Sequence, residues 1–197
     1  GGFAYVDTWP ETGTQGVGGE GFLGIVEQPD GRLLAYGCRA GFWDDGTILW
    51  WYQRTMARFH ADGSVDTSFG TNGMVIPQKD SDYSAEDYRA VSFQSDQKIV
   101  VFGLATERDV VGVQQTDIFV ERFNVDGSRD MSFDSTGRIE LWTPGTEFAH
   151  GIQVLGDDNV FDLPRDSIVI GGTHKDGGWE QQALSTGLLL YLVPPLP

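Results

Sequence analysis

The stretch ARFHADGSVDTSFG, residues 57–70, returns as ERFNVDGSRDMSFD, residues 121–134, and this repetition decides the fold. Eight of the fourteen positions are identical: Arg58/Arg122, Phe59/Phe123, Asp62/Asp126, Gly63/Gly127, Ser64/Ser128, Asp66/Asp130, Ser68/Ser132 and Phe69/Phe133. Gly73 and Gly137 follow in step. A period of 64 residues in a chain of 197 means that about three copies of one supersecondary unit fill the sequence.

The repeat extends upstream. VEQPDGRLLAYG, Val26 to Gly37, matches SFQSDQKIVVFG, Ser92 to Gly103, at a spacing of 66, and a worn third copy reads RDSIVIGG, Arg165 to Gly172. Each unit runs in one order: an apolar strand, a polar turn, a second strand ending in Gly, a variable loop, a long third strand, the Asp-Gly-Ser turn and a short fourth strand. Strands are expected where β-branched and aromatic residues are bounded by Gly, Pro, Asp and Ser, as at Arg32–Tyr36 and Lys98–Phe102. Helical periodicity is nowhere sustained, and 27 Gly and 8 Pro interrupt the chain too often for long helices. The expected fold is all-β, a propeller-like array of about three four-stranded blades that forms part of a larger or multi-chain ring. Residues 1–20 are expected to give the fourth strand of a preceding blade, 21–78 the first blade, 79–145 the second, and 146–197 a divergent third.

The repeated motif has a structural explanation. Asp62-Gly63 and Asp126-Gly127 stand between strands, where a two-residue turn needs residues tolerant of positive φ. Asp66 and Asp130 can accept hydrogen bonds from nearby amides, while Phe69 and Phe133 can plug the seam between neighbouring sheets.

These words resemble the delta-60 repeat family, through Gln28, Asp30, Gly31, Leu33, Leu34 and Gly37, the Arg58–Gly70 segment, and their counterparts up to Phe133. The resemblance covers about two thirds of the chain. It implies a β-propeller of large secreted or surface proteins of bacteria, and hence an extracellular or cell-surface location, and it carries no catalytic residues to transfer. After Gly172 no Asp-Gly-Ser turn appears, so the last blade is expected to be divergent or cut short.

Gly1–Val6 align with Thr71–Ile76, a fourth strand whose first three strands are missing. Closed propellers have four to eight blades. Two chains complete one ring, or the chain belongs to a longer protein, or the array is open; in each case the terminal strands, Gly2–Thr8 and Leu188–Val193, are expected to pair with one another, another chain or flanking sequence.

A net charge of −16 argues against nucleic acid, whose phosphates demand a basic surface. The longest apolar run, Leu188–Val193, is far short of a membrane helix, so no membrane span is expected. The single cysteine, Cys38, excludes an internal disulfide and reads as a small buried hydrophobe. Gly16–Gly21 satisfies a dinucleotide-binding glycine pattern, yet a strand follows where a helix is needed, so it reads as a loop. His60, His150 and His174 fall in dissimilar contexts and suggest no zinc site.

Calcium is the one cofactor to weigh. Asp62, Asp66, Asp126 and Asp130 offer oxygens at spacings of four, with Asp44-Asp45 and Asp157-Asp158 as further donors, but the spacing matches no calcium loop, and turn capping is the preferred reading. Contacts with a protein or glycan are expected in the blade loops, from Trp43, Asp44 and Asp45 in GFWDDGTILWWY and from Trp179 in HKDGGW, whose rings and carboxylates supply stacking faces and acceptors. The expected function is a noncatalytic propeller module that binds or assembles through blade loops and edge strands. The alternative is a propeller hydrolase acting on glycans, with paired carboxylates in a central cleft.

Overall fold

In a computed structural model of the chain, the described residues are 20–43, 49–78, 85–108, 114–141, 146–159, 162–175 and 186–193. They form eleven strands: β1 (Glu20–Glu27), β2 (Leu33–Trp43), β3 (Leu49–Phe59), β4 (Met74–Val75), β5 (Ala85–Phe93), β6 (Ile99–Arg108), β7 (Gln114–Phe123), β8 (Arg138–Leu141), β9 (Thr146–Val154), β10 (Ile168–Lys175) and β11 (Thr186–Val193). Among the described residues no helix is long and apolar enough to cross a membrane. The strand expected of residues 1–6 and residues 16–19 of the loop expected at Gly16–Gly21 lie outside the described residues. Glu20 and Gly21 are not loop but open β1, pairing with Arg39 and Cys38.

The first repeat is an antiparallel meander, β1-β2-β3 with β4 on β3, and the second repeats it as β5-β6-β7-β8. One parallel bridge, Tyr52 to Ala85, joins the two. The third repeat forms a separate sheet, β9-β10-β11. Each repeat carries the same irregularity in its first strand, a one-residue bulge at Leu23, Arg89 and His150. Opposite two of these bulges stand Gly37 and Gly103, where a Cβ would lie 2.1 and 2.2 Å from a carbonyl oxygen of the facing strand.

The central strand β6 explains the stacking. Its alternation sends Ile99, Val101 and Ala105 into a core shared with Leu34, Met56 and Phe69 of the first repeat. Val100, Phe102 and Leu104 point the other way, into a core shared with Val154, Ile168 and Ile170 of the third. A strand buried on both faces reads as a continuous apolar run because it is the middle layer of three. Phe69 lies in the first of these seams and Phe133 in the second, both with no exposure, as plugs.

The Asp-Gly-Ser turn differs from expectation. His60 donates its amide to Ser64 O and Gly63 to His60 O, which makes a three-residue loop with only Gly63 at positive φ (87°). Asn124, Gly127 and Ser128 repeat it, with Gly127 at 86°. The extra residue frees Asp62 and Asp126 from positive φ and leaves their carboxylates to cap the turn.

Gly127 has a second reason to be glycine. A Cβ there would stand 2.8 Å from the Phe69 ring and from Val75, because the second turn is pressed onto the first repeat. Gly31 shares the positive φ (83°) but a Cβ there meets nothing within 4 Å. Gly31→Ala is expected to cost about 1–2 kcal/mol for the left-handed backbone, and Gly127→Ala a further 1–3 kcal/mol or so for overpacking; urea unfolding of the two variants checks the difference.

Candidate functional site

The repeated residues assemble one device twice. Asp66 sits buried at the foot of the turn, and its Oδ1 accepts from Ser68 N (3.1 Å) and Ser68 Oγ (2.5 Å). Its Oδ2 accepts from Arg58 Nε (2.8 Å) and Arg32 Nη1 (2.9 Å). In the second repeat Asp130 takes Ser132 N and Oγ on one oxygen and Arg122 Nε (2.7 Å) on the other, and Lys98 stands where Arg32 stood. Each arginine also lies over its own repeat's phenylalanine, Arg58 at 4.4 Å from the Phe69 ring centre and Arg122 at 4.7 Å from that of Phe133. Burial pushes both carboxyls up, but the serine and guanidinium or ammonium partners outweigh it and hold them far below the ordinary value of 3.8.

Asp62 and Asp126 are exposed caps. Each accepts from the amide of the serine two residues on (2.9 Å) and from its hydroxyl, which lowers both carboxyls. Asp66 and Asp130 therefore spend both carboxylate oxygens inside their own repeat, and Asp62 and Asp126 spend Oδ1 there. Among the described residues no group of three or more His, Cys, Asp or Glu is placed to hold a metal ion.

The first device reaches into the next repeat. Arg58 Nη1 donates to Val125 O (2.5 Å) and Gly70 N to Asp126 O (2.7 Å), so the second turn is clamped to the first. Deeper in this seam lies a charged cluster that the sequence does not announce. Arg54 of β3 donates to Glu86 of β5 and, through Nε (3.0 Å) and Nη2 (2.9 Å), to Glu121 of β7. Arg138 pairs with Glu86 (3.2 Å) and Glu121 (3.6 Å), Arg129 reaches Glu121 (2.5 Å), and Tyr88 donates its hydroxyl to Glu121. The side chains of Arg54, Glu86 and Glu121 have no exposure. Burial and the Glu121 charge push the Tyr88 hydroxyl well above its ordinary value, so it stays a donor.

The signal that could have found this cluster lies at the positions where the two repeats disagree. Glu121 replaces Ala57, Arg129 replaces Val65 and Arg138 replaces Met74, all on the face that meets the first repeat. Glu86 and Glu121 are buried carboxylates on shared arginines, the arrangement a hydrolase pair would need to avoid, since guanidiniums neutralise both and side chains surround them. A groove of about 630 Å³ opens nearby between the two turn segments, with Ser68, Thr71, Gln78, Asp126, Ser128 and Arg129 among its walls.

The loop candidates fare differently. Trp43 is the last residue of β2, paired with Leu49, and not a loop residue, because the β2–β3 ladder runs further out than its Gly-rich composition suggests. Asp44, Asp45 and Trp179 lie outside the described residues. Cys38 is half-buried, and burial with the Asp87 charge pushes its thiol up, away from the reactive thiolate.

Residues 52–69 and 94–133 match a family described as a domain of unknown function (DUF5122) beta-propeller, and these two segments hold both copies of the Asp-Gly-Ser motif. The two matched segments thus read as β-propeller repeat sequence, as the resemblance implied, while the third repeat lies outside the match. No curated protein and no solved structure matches the chain.

Replacing Asp66 by Asn strips the buried Arg58 of its counter-charge and is expected to cost about 3–5 kcal/mol, whereas Asp126→Ala removes an exposed cap and costs about 1 kcal/mol. Denaturant unfolding separates the two. Because the fold depresses the Asp66 and Asp130 carboxyls, the unfolded chain binds more protons at low pH. Their stabilisation is complete above pH about 4 and is lost as pH falls below it; a pH series of unfolding midpoints should show that fall, and a shallower one in the Asp66→Asn, Asp130→Asn double variant.

Proposed function

We propose that this chain is a noncatalytic β-propeller module of a secreted or cell-surface bacterial protein, a scaffold that binds or assembles through its loops and its exposed sheet faces. One observation carries this reading. Among the buried charged side chains, Arg54, Glu86 and Glu121 are engaged in holding the first repeat to the second, and Arg58, Asp66, Arg122 and Asp130 in holding each turn to its own repeat. No family residue adds a nucleophile or an acid–base pair to them. The net charge of −16 favours an acidic, well-solvated surface over a nucleic-acid partner. On this reading Trp43, Asp44, Asp45 and Trp179 supply contacts to a protein or glycan, and calcium is not required.

The purified chain is expected to turn over no chromogenic glycoside, with or without calcium. Hydrolysis that co-elutes with the chain and vanishes in Glu121→Gln, while circular dichroism of the variant stays native, would instead establish the glycan hydrolase.

A further inference from the structure

The outer edge of the first repeat opens onto the groove between the two turn segments. Strand β4 spends one side of its backbone on β3: Arg58 N donates to Gly73 O (3.0 Å), and Val75 pairs with Met56. Antiparallel alternation therefore turns the amides and carbonyls of Met74 and Ile76 away from β3. Those of Met74 are taken by Thr71 O (3.1 Å) and Thr71 N (2.8 Å). The amide and carbonyl of Ile76 make no hydrogen bond among the described residues. Ile76, Pro77 and Gln78 wall the groove on this side, and Asp126, Ser128 and Arg129 wall it from the second repeat. Its volume of about 630 Å³ lies within the range of ligand-binding clefts.

The second wall decides the charge of a guest. Asp126 is exposed and spends only Oδ1, on Ser128 N (2.9 Å) and Ser128 Oγ (2.7 Å), while its Oδ2 takes no hydrogen bond among the described residues. Arg129, the neighbouring cation, is balanced by Glu121 (2.5 Å). The groove thus keeps a negative charge of its own, in a protein of net charge −16, and favours a cationic guest. An unused amide beside an unused carbonyl on an edge strand is what an extended peptide pairs with. A sugar is served less well, because Phe123, the aromatic residue lining the groove, is 1% exposed and offers no face to stack on.

We propose that this groove docks an extended, basic peptide segment of a partner protein, which pairs with the backbone of Ile76 as a further strand and sets a lysine or arginine side chain on Asp126. The strand pairing is short. Pro77 has no amide to give β3 and ends the ladder, and the Gln78 carbonyl is already taken by Arg54 Nη2 (3.0 Å). Backbone pairing confined to Ile76 supplies little selectivity, so the charge on Asp126 must supply it. The inference rests on the reading of the chain as a binding module and names the chemistry of its partner.

The probe is the acetylated, amidated peptide TVKVT, titrated into the isotope-labelled chain and followed by NMR, with TVEVT, a backbone N-methylated TVKVT and chitotetraose for comparison. TVKVT is expected to shift the amides of residues 74–78 and 126–129 and to bind about tenfold tighter than TVEVT, attraction in one case being repulsion in the other. Asp126→Asn keeps the oxygen that caps the turn and loses the charge, and should remove most of that difference. Asp62→Asn makes the same change in the first turn and should preserve it. Ile76→Pro removes an amide hydrogen that the fold does not use and should abolish binding, and the N-methylated peptide tests the same pairing should that variant not fold. Absence of shifts at millimolar TVKVT, a lysine preference that survives Asp126→Asn, or chitotetraose taking the groove in place of the peptide would overturn the proposal. Each of these would leave the noncatalytic reading standing, since that reading falls only to turnover of a glycoside.

Discussion

A guanidinium cannot be left alone between two β-sheets. Stripping water from a charge costs several kcal/mol unless carboxylates and carbonyls replace it. Arg54 and Arg58 are both buried on the side of the first repeat that faces the second, so the second repeat can dock only where Glu86, Glu121 and the Val125 carbonyl meet them. Apolar packing alone would tolerate a slide of one residue along the strands. The charged cluster does not, because a slide would strand two carboxylates and a guanidinium in a dry seam. The cluster adds little net stability over an apolar filling, and its value is register.

The second seam is built without it. Ile118 stands at the Arg54 position and joins Val100, Phe102 and Phe133 against the third sheet. Polar contacts there include Ser95 donating to both oxygens of Asp166, Gln94 donating to the Asp166 carbonyl, and Val154 N donating to Ser92 Oγ (3.2 Å). The third repeat meets its neighbour through a lengthened connection, residues 156–166, in place of the tight turn at Pro29–Gly31, yet Asp166 keeps the positive φ of Gly31 and Gln97. The two seams are therefore built differently, the first around an ionic cluster and the second around an apolar one.

Much of this architecture is legible in the chain itself. The eight repeated positions announce the unit, its strand order and the Phe69 and Phe133 plugs, because turn and packing chemistry is local and recurs with the period. The turn is not, since an Asp-Gly pair suits a two-residue loop and a three-residue loop equally, and only the His60–Ser64 pairing separates them. Trp43 falls on a strand instead of a loop because ladders can run past glycines when the facing strand, here Leu49–Tyr52, is aromatic and continuous. The charged cluster is invisible to pattern reading, its partners being 32 and 67 residues apart. A charge on an inward-facing strand position, such as Glu121 between Phe119 and Phe123, is the available clue.

Repetition and difference thus carry separate information. Positions that agree between the copies, Arg58 with Arg122 and Asp66 with Asp130, hold a unit's own turn to its own third strand. Positions that disagree, Arg54 against Ile118 and Ala57 against Glu121, lie on the faces between units and determine which sheet can follow which. A stack made only of identical units would have no preferred order and no preferred length. Here one inner seam is ionic and the other apolar, so the order of the three sheets is written in the places where the repeat fails.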